Sequence, residues 1–171
     1  MEHINAKEQM IKKNLLNDQI TINNSLTGTM TETQIMAKTN APTLEEAAAI
    51  EKVLRYRNET FADAWALNLN LALRISDLLA LTYKDVAGTE IRITEGKTKK
   101  ARVIPINEKA RDIINRRRAT YPEDIFLFQS RSNRVKNQAA RPVSRESASR
   151  AFSEAGEMVT DKNIGTHSAR K

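Results

Sequence analysis

The sequence predicts an α+β domain, mostly helical, with one small three-stranded antiparallel sheet. Three observations lead there. Side-chain caps stand in front of several apolar runs of helical length, the apolar period drops to two between residues 86 and 106, and turn residues separate these segments. The domain is expected over residues 41–171, after a boundary at Asn40-Ala41-Pro42.

The elements follow in order. Thr43-Leu44-Glu45-Glu46 is a capping box that opens a helix to Arg57. A second helix, Glu59 to Leu73, is apolar through Phe61, Trp65, Leu67, Leu69 and Leu71, which predicts a central place in the core. A third runs from Ser76 to Leu81. The stretch VAGTEIRITEG reads as two short strands around a turn at Ala87-Gly88, with Ile91 and Ile93 alternating. ARVIPIN supplies the third strand, across the basic turn EGKTKK. Asn107 caps a helix to Ala119. DIFLF reads as a short buried segment, Ser130 to Arg141 as a basic loop, and Ser144 to Gly156 as a further helix. After a loop at Thr160 to Ile164, Thr166 is placed to cap a last helical turn. Residues 1–40 are polar; Ile4, Ile11 and Leu15 can share a helix face but cannot build a core. They read as a tail or a partner-docking helix.

Composition narrows the chemistry. The 171 residues include no cysteine and two histidines, His3 and His167, so a disulfide framework and a Cys- or His-built metal site are not expected. No apolar run reaches the roughly 18–20 residues that span a bilayer, and no signal-peptide core opens the chain, which points to a cytoplasmic protein. The formal charge is +7. In residues 1–40, Lys7, Lys12, Lys13 and Lys38 cancel Glu2, Glu8, Asp18 and Glu32, so the excess lies beyond residue 40. Lys97 to Arg118 holds nine basic and two acidic residues, and Arg131 to Arg150 six and one. Such concentration suits a polyanion partner, although a solvated basic surface explains the charge equally well by itself.

Four pieces, in this order, resemble the catalytic domain of the tyrosine recombinases, the phage integrase family. LALRISDLLALTYKDV is similar to the helix-turn segment with the family's first active-site arginine, which matches Arg74, with Asp77 where the family keeps a supporting acid. EGKTKKARVIPIN resembles the hairpin with its active-site lysine, matching Lys97. DIFLFQSRS resembles the apolar segment and loop that follow, and THSARK the His-x-x-Arg box, matching His167 and Arg170. The resemblance covers Thr43 to Lys171. Arg74 alone reads equally as a buried arginine paired with Asp77, and Lys97 alone as a solvated lysine; the order of the four motifs favours the functional reading.

What the resemblance implies is site-specific DNA recombination by strand cleavage and rejoining through a phosphotyrosyl intermediate, with no metal and no cofactor. The residue types suit that chemistry. Two guanidiniums hold non-bridging phosphate oxygens in a planar, bidentate way, and such stabilisation is usually the largest catalytic contribution. Lys97 is then the acid for the departing 5′ oxygen and His167 the acid–base partner of the nucleophile. The implied partners are double-stranded DNA and, on it, further copies of the chain or a partner recombinase; the implied location is the nucleoid. Lys99, Lys100, Arg102, Arg131, Arg134, Arg145 and Arg150 are expected to contact DNA. Arg74 and Arg170 are expected to converge on one point rather than on carboxylates.

The chain also departs from the family pattern. The family places a nucleophilic tyrosine after its His-x-x-Arg box, whereas Tyr56, Tyr83 and Tyr121 all precede His167. The expectation is a catalytic domain cut off before its nucleophile, or one served by another molecule's tyrosine. Residues 1–40 are too short and polar for the N-terminal DNA-binding domain that most members carry. Ala169 stands where leucine is frequent and Lys171 where a second histidine is common. Two other readings remain: a non-catalytic DNA-binding or regulatory module acting with a partner recombinase, and a basic RNA-binding protein with coincidental motifs.

Overall fold

The computed structural model describes residues 39–135 and 137–170. The expected tail over residues 1–40 thus lies outside the described residues, apart from Thr39 and Asn40. Seven elements and two short 3-10 turns follow: α1 (Leu44–Arg57), α2 (Glu59–Leu71), α3 (Ile75–Leu79), β1 (Glu90–Thr94), β2 (Ala101–Pro105), α4 (Glu108–Thr120) and α5 (Arg145–Glu157), with turns at Asn133–Val135 and Ser168–Arg170. Among the described residues no helix is long and apolar enough to cross a membrane.

Local capping sets the helix boundaries. The Thr43 hydroxyl accepts from the Glu46 N–H at 3.1 Å, and the Glu46 carboxylate accepts from the Thr43 N–H at 2.7 Å. Asn58 serves two helices at once. Its N–H donates to the Leu54 carbonyl at the end of α1, while its side chain accepts from Thr60 and Phe61 N–H at the start of α2. Asn107 and Ser144 cap α4 and α5 in the same way.

The core forms around α2, whose residues 62–68 are buried without interruption. It packs on α1, α4, α5 and the last 3-10 turn. Trp65 is fully enclosed, donates its indole N–H to the Ala47 carbonyl at 3.1 Å, and meets Phe152 of α5 edge-on, ring centres 5.1 Å apart. One position breaks the apolar rule. Asp63 is buried in α2 and takes Arg55 at 3.0 Å, Arg116 at 2.5 Å and Arg117 at 3.1 Å. Arg117 is itself buried, lies against the rings of Phe128 and Tyr121, and donates to the Leu127 carbonyl. A buried carboxylate needs such partners, and this one ties α1, α2 and α4 to the segment after α4.

The sheet has two strands, not the three expected. β1 and β2 pair antiparallel with Glu90 opposite Pro105 and Thr94 opposite Ala101. Residues 83–89 form turns instead of a strand. The Thr82 N–H and hydroxyl both donate to the Asp85 carboxylate, at 2.8 and 2.7 Å, which curls the chain locally. The Val86 and Gly88 carbonyls, which a strand neighbour would otherwise satisfy, accept from the Arg111 guanidinium of α4. Val86 is still buried, so its apolar character reflects packing and not strand alternation. DIFLF adds only an isolated bridge, Phe126 opposite Thr82.

The segment after α5 is pinned to both ends of the domain. Glu46 of α1 accepts from the Thr160 hydroxyl at 2.9 Å and from Lys162 at 2.7 Å. Gly156, buried in the last turn of α5, has no room for a side chain, because a Cβ there would lie 2.4 Å from the Cβ of Ile164. Gly156→Ala therefore has to push Ile164 away, and chemical denaturation should report a loss of about 1–3 kcal/mol. A neutral or stabilising result would mean that the α5 end and Ile164 part easily.

Candidate active site

The site begins where α2 stops. Ala72, a residue with a Cβ, adopts a left-handed conformation (φ 50°), an unfavourable state for alanine that the surrounding packing must hold. It ends α2 two residues earlier than its apolar pattern predicts. Leu73 and Ile75 are buried on either side of Arg74, so the backbone of Arg74 is fixed while its side chain stays 21% exposed. Arg74 stands at the N-cap position of α3, and its carbonyl accepts from the N–H groups of Asp77 and Leu78.

The Arg74 guanidinium donates through Nη1 to Oε2 of Glu95, the residue that follows β1. This differs from the expectation of an arginine turned away from carboxylates, and the partner is not Asp77. Asp77 instead accepts from the Gly96 N–H at 3.3 Å, drawing the hairpin turn onto α3; its other carboxylate oxygen is buried with no partner among the described residues. Glu95 is buried and collects three donors: the Thr98 hydroxyl at 2.6 Å, Arg74, and Arg102 Nη1 at 3.1 Å. Its backbone closes the same turn, with its N–H on the Lys100 carbonyl and its carbonyl accepting from Lys99, both at 2.9 Å. Lys99 adopts φ 57° to make that turn, and Lys97 lies exposed within it. The Thr98 hydroxyl, then Arg74 and Arg102, hold the Glu95 carboxyl at a pKa of about 2, against an ordinary 4.5.

The C-terminal box arrives from the other side. Ile164, Thr166, Ser168 and Ala169 are buried, the Gly165 N–H donates to the Ser168 hydroxyl at 3.0 Å, and Ser168–Arg170 form a 3-10 turn against α2. Arg170 Nε donates to the Ala72 carbonyl at 2.9 Å. Its anchor is thus the left-handed residue two positions before Arg74. His167 is exposed on this turn. Arg74, Asp77, the Lys97 turn, Arg102 and Arg170 all gather about the Ala72–Arg74 turn.

Of the remaining cationic residues, Lys99 and Lys100 share the hairpin turn with Lys97 and the others lie elsewhere. Arg131 is on the Asp124 carboxylate, with its guanidinium 3.5 Å from the centre of the Tyr121 ring. Arg131, Arg134 and Arg141 line an open groove of about 880 Å³ that also takes in the N-terminal ends of α2 and α5 and contains none of Arg74, Lys97, His167 or Arg170. Arg145 and Arg150 are exposed on α5 among Glu146, Glu154 and Glu157. Lys99 and Lys100 are exposed on the hairpin turn. Glu95 was missed in reading the sequence. Its signal was a single acid at the foot of a turn whose other charges are all positive.

The model of the phage integrase family matches residues 33–171. A probable integrase/recombinase of Bacillus subtilis (strain 168), YoeC, is 35% identical over 129 residues, which is 75% of this chain and 68% of that protein. Among solved structures, the lambda integrase catalytic core matches with a TM-score of 0.63 at 15% identity, over 78% of this chain and 79% of that one. A lambda integrase dimer bound to a COC' core site matches with 0.63 at 15% identity, over 77% of this chain and 38% of that one. A lambda integrase tetramer bound to a Holliday junction gives 0.61 at 16%, over 91% and 49%. The chain therefore spans less than half the length of these DNA-bound integrase chains, and at such identities the likeness shows the fold.

Acid should act first through the held carboxylates. Glu46, on Lys162, the Thr43 N–H and Thr160, is also lowered to about 2. A carboxyl whose pKa is depressed on folding stabilises above its unfolded value and loses that contribution as pH falls through its folded value. Stability should thus hold above about pH 4.5 and decline toward pH 2. Glu95→Gln and Glu46→Gln should each flatten that decline, measured as denaturation midpoints across the pH series. Slopes identical to the unsubstituted chain would remove these two groups from the account.

Proposed function

The chain belongs to the phage integrase family, and on that premise we propose that residues 41–171 are the part of a site-specific DNA recombinase that grips the scissile phosphate. One observation carries the proposal. Arg74, the Lys97 hairpin and Arg170 come from separate parts of the sequence and meet at the Ala72–Arg74 turn. In this reading Arg74 and Arg170 hold the two non-bridging oxygens, where charge builds as a nucleophile attacks in line. A tyrosine hydroxyl attacks phosphorus and passes its proton to His167; the bond from phosphorus to the 5′ oxygen breaks, and Lys97 protonates that oxygen. Asp77 holds the hairpin through Gly96, so that Lys97 and Arg74 share a frame.

Self-assembly on DNA belongs to the same proposal, by likeness to a lambda integrase solved as a dimer on a core site and as a tetramer on a Holliday junction. The non-catalytic reading, a module that binds DNA beside a partner recombinase, has one observation in its favour: the Arg74 guanidinium already holds a carboxylate.

Duplex binding tests the proposal. Affinity should fall steeply between about 50 and 200 mM salt, and Arg74→Ala or Arg170→Ala should each lower the slope of log affinity against log salt by roughly one. A salt-insensitive affinity, or a preference for single-stranded RNA, overturns it.

Of the three tyrosines in the sequence, Tyr83 is held in a poor state for attack. The Tyr83 hydroxyl is buried with no hydrogen-bond partner among the described residues, burial raises its pKa, and its ring lies 4.6 Å from the Arg118 guanidinium. The Tyr121 ring lies 5.3 Å from the Arg117 guanidinium and 3.5 Å from that of Arg131. Incubation with a suicide substrate should give no covalent adduct at Tyr56, Tyr83 or Tyr121. Mapping an adduct to any of the three by peptide mass would reverse the assignment and move the nucleophile upstream of His167.

A further inference from the structure

We propose that Glu95 is an internal placeholder for phosphate: its carboxylate occupies the Arg74 guanidinium in the free protein and yields it when an external phosphate arrives. This deepens the reading of Arg74 as a phosphate ligand and rests on it.

Four observations support the assignment. Glu95 is the only acid between residues 95 and 105, beside Lys97, Lys99, Lys100 and Arg102. Without it, Arg74 and the hairpin cations would keep only Asp77 as a nearby counter-charge, an arrangement that costs folding stability. Second, the carboxylate is buried while the arginine side chain remains 21% exposed, so an anion from solvent can reach the guanidinium but not displace the carboxylate from its seat. Third, the carboxylate does not depend on Arg74. Thr98 shares the oxygen that Arg74 uses, and Arg102 holds the other one. Arg74 can therefore turn toward a second anion and leave Glu95 ionised and hydrogen-bonded. Fourth, only Nη1 of Arg74 is engaged by Glu95, and a phosphate needs a planar pair of donors. The released arginine offers that pair.

A placeholder has opposite effects on folding and on binding. It neutralises the cleft of the free protein and repels the phosphate that will replace it. A residue that merely braced the hairpin would weaken both when removed, and a DNA contact would weaken binding alone.

The test uses inorganic phosphate and duplex DNA as separate probes. In phosphate-free buffer Glu95→Gln should melt below the unsubstituted chain, and added inorganic phosphate should raise its Tm by more than it raises that of the unsubstituted chain. Its duplex affinity should increase about three- to tenfold, the scale of one like charge removed near a bound phosphate at partly screened distance. Glu90→Gln, on the same hairpin but paired with exposed Arg92, should change affinity less than about twofold. A second measurement does not depend on the variant folding. In the unsubstituted chain the carboxyl carbon resonance of Glu95 should shift as phosphate is titrated and Arg74 leaves. An unchanged resonance, an equal Tm response in the two chains, or weaker duplex binding by Glu95→Gln overturns the placeholder. A phosphate response as expected in a chain that fails to bind duplex supports the placeholder and overturns the DNA reading.

Discussion

The left-handed turn at Ala72 is the constraint on which the rest of the site depends. α2 is the most deeply buried helix, and a continuation past Leu71 would carry residues 72–74 along its axis. The single positive φ ends the helix instead and leaves the Ala72 carbonyl pointing out of the α-helical ladder, where Arg170 takes it. It also lets Leu73 and Ile75 bury themselves on either side of Arg74. One strained residue thereby sets the direction of the first arginine and supplies the anchor of the second. Strain of this kind persists where packing over-determines it, and here the packing comes from α2, α3 and the final 3-10 turn.

A chain with +7 net charge must also decide where its acids go. The acids that matter structurally are few, and two of them serve several cations. Asp63 takes three arginines inside the core, Glu95 takes two at the hairpin, and Asp124 takes Arg131 beside Tyr121. Buried charge is tolerable only when paired and hydrogen-bonded, so these carboxylates work as fixed nodes around which arginines are ordered. The effect is to divide the cations into two sets. Those on nodes shape the domain, while Lys97, Lys99, Lys100, Arg134, Arg145 and Arg150 remain exposed.

Features set by neighbours in sequence were legible, and features set by distant segments were not. Thr43, Asn107 and Ser144 mark helix starts because a cap is a bond to a residue two or three positions away, and all three helices begin at the residue expected or one from it. The strand expected before the Ala87-Gly88 turn does not form, because the guanidinium that satisfies the Val86 carbonyl sits on α4, 25 positions later. For the same reason the positions of Arg74, Lys97 and Arg170 in the chain could be matched to a family pattern, but not the partner of Arg74. The nearest acid, Asp77, was the obvious choice. The hairpin brings Glu95 in from 21 positions away.

The ties from Glu46 to Thr160 and Lys162 have a consequence for how the site is held. They join positions 114 and 116 residues apart, close to the full length of the described domain. Closing so long a loop costs chain entropy, which these contacts must offset. The turn that carries His167 and Arg170 therefore depends on α1 for part of its seat, so damage to the start of α1 reaches the second arginine although the two are far apart in the chain.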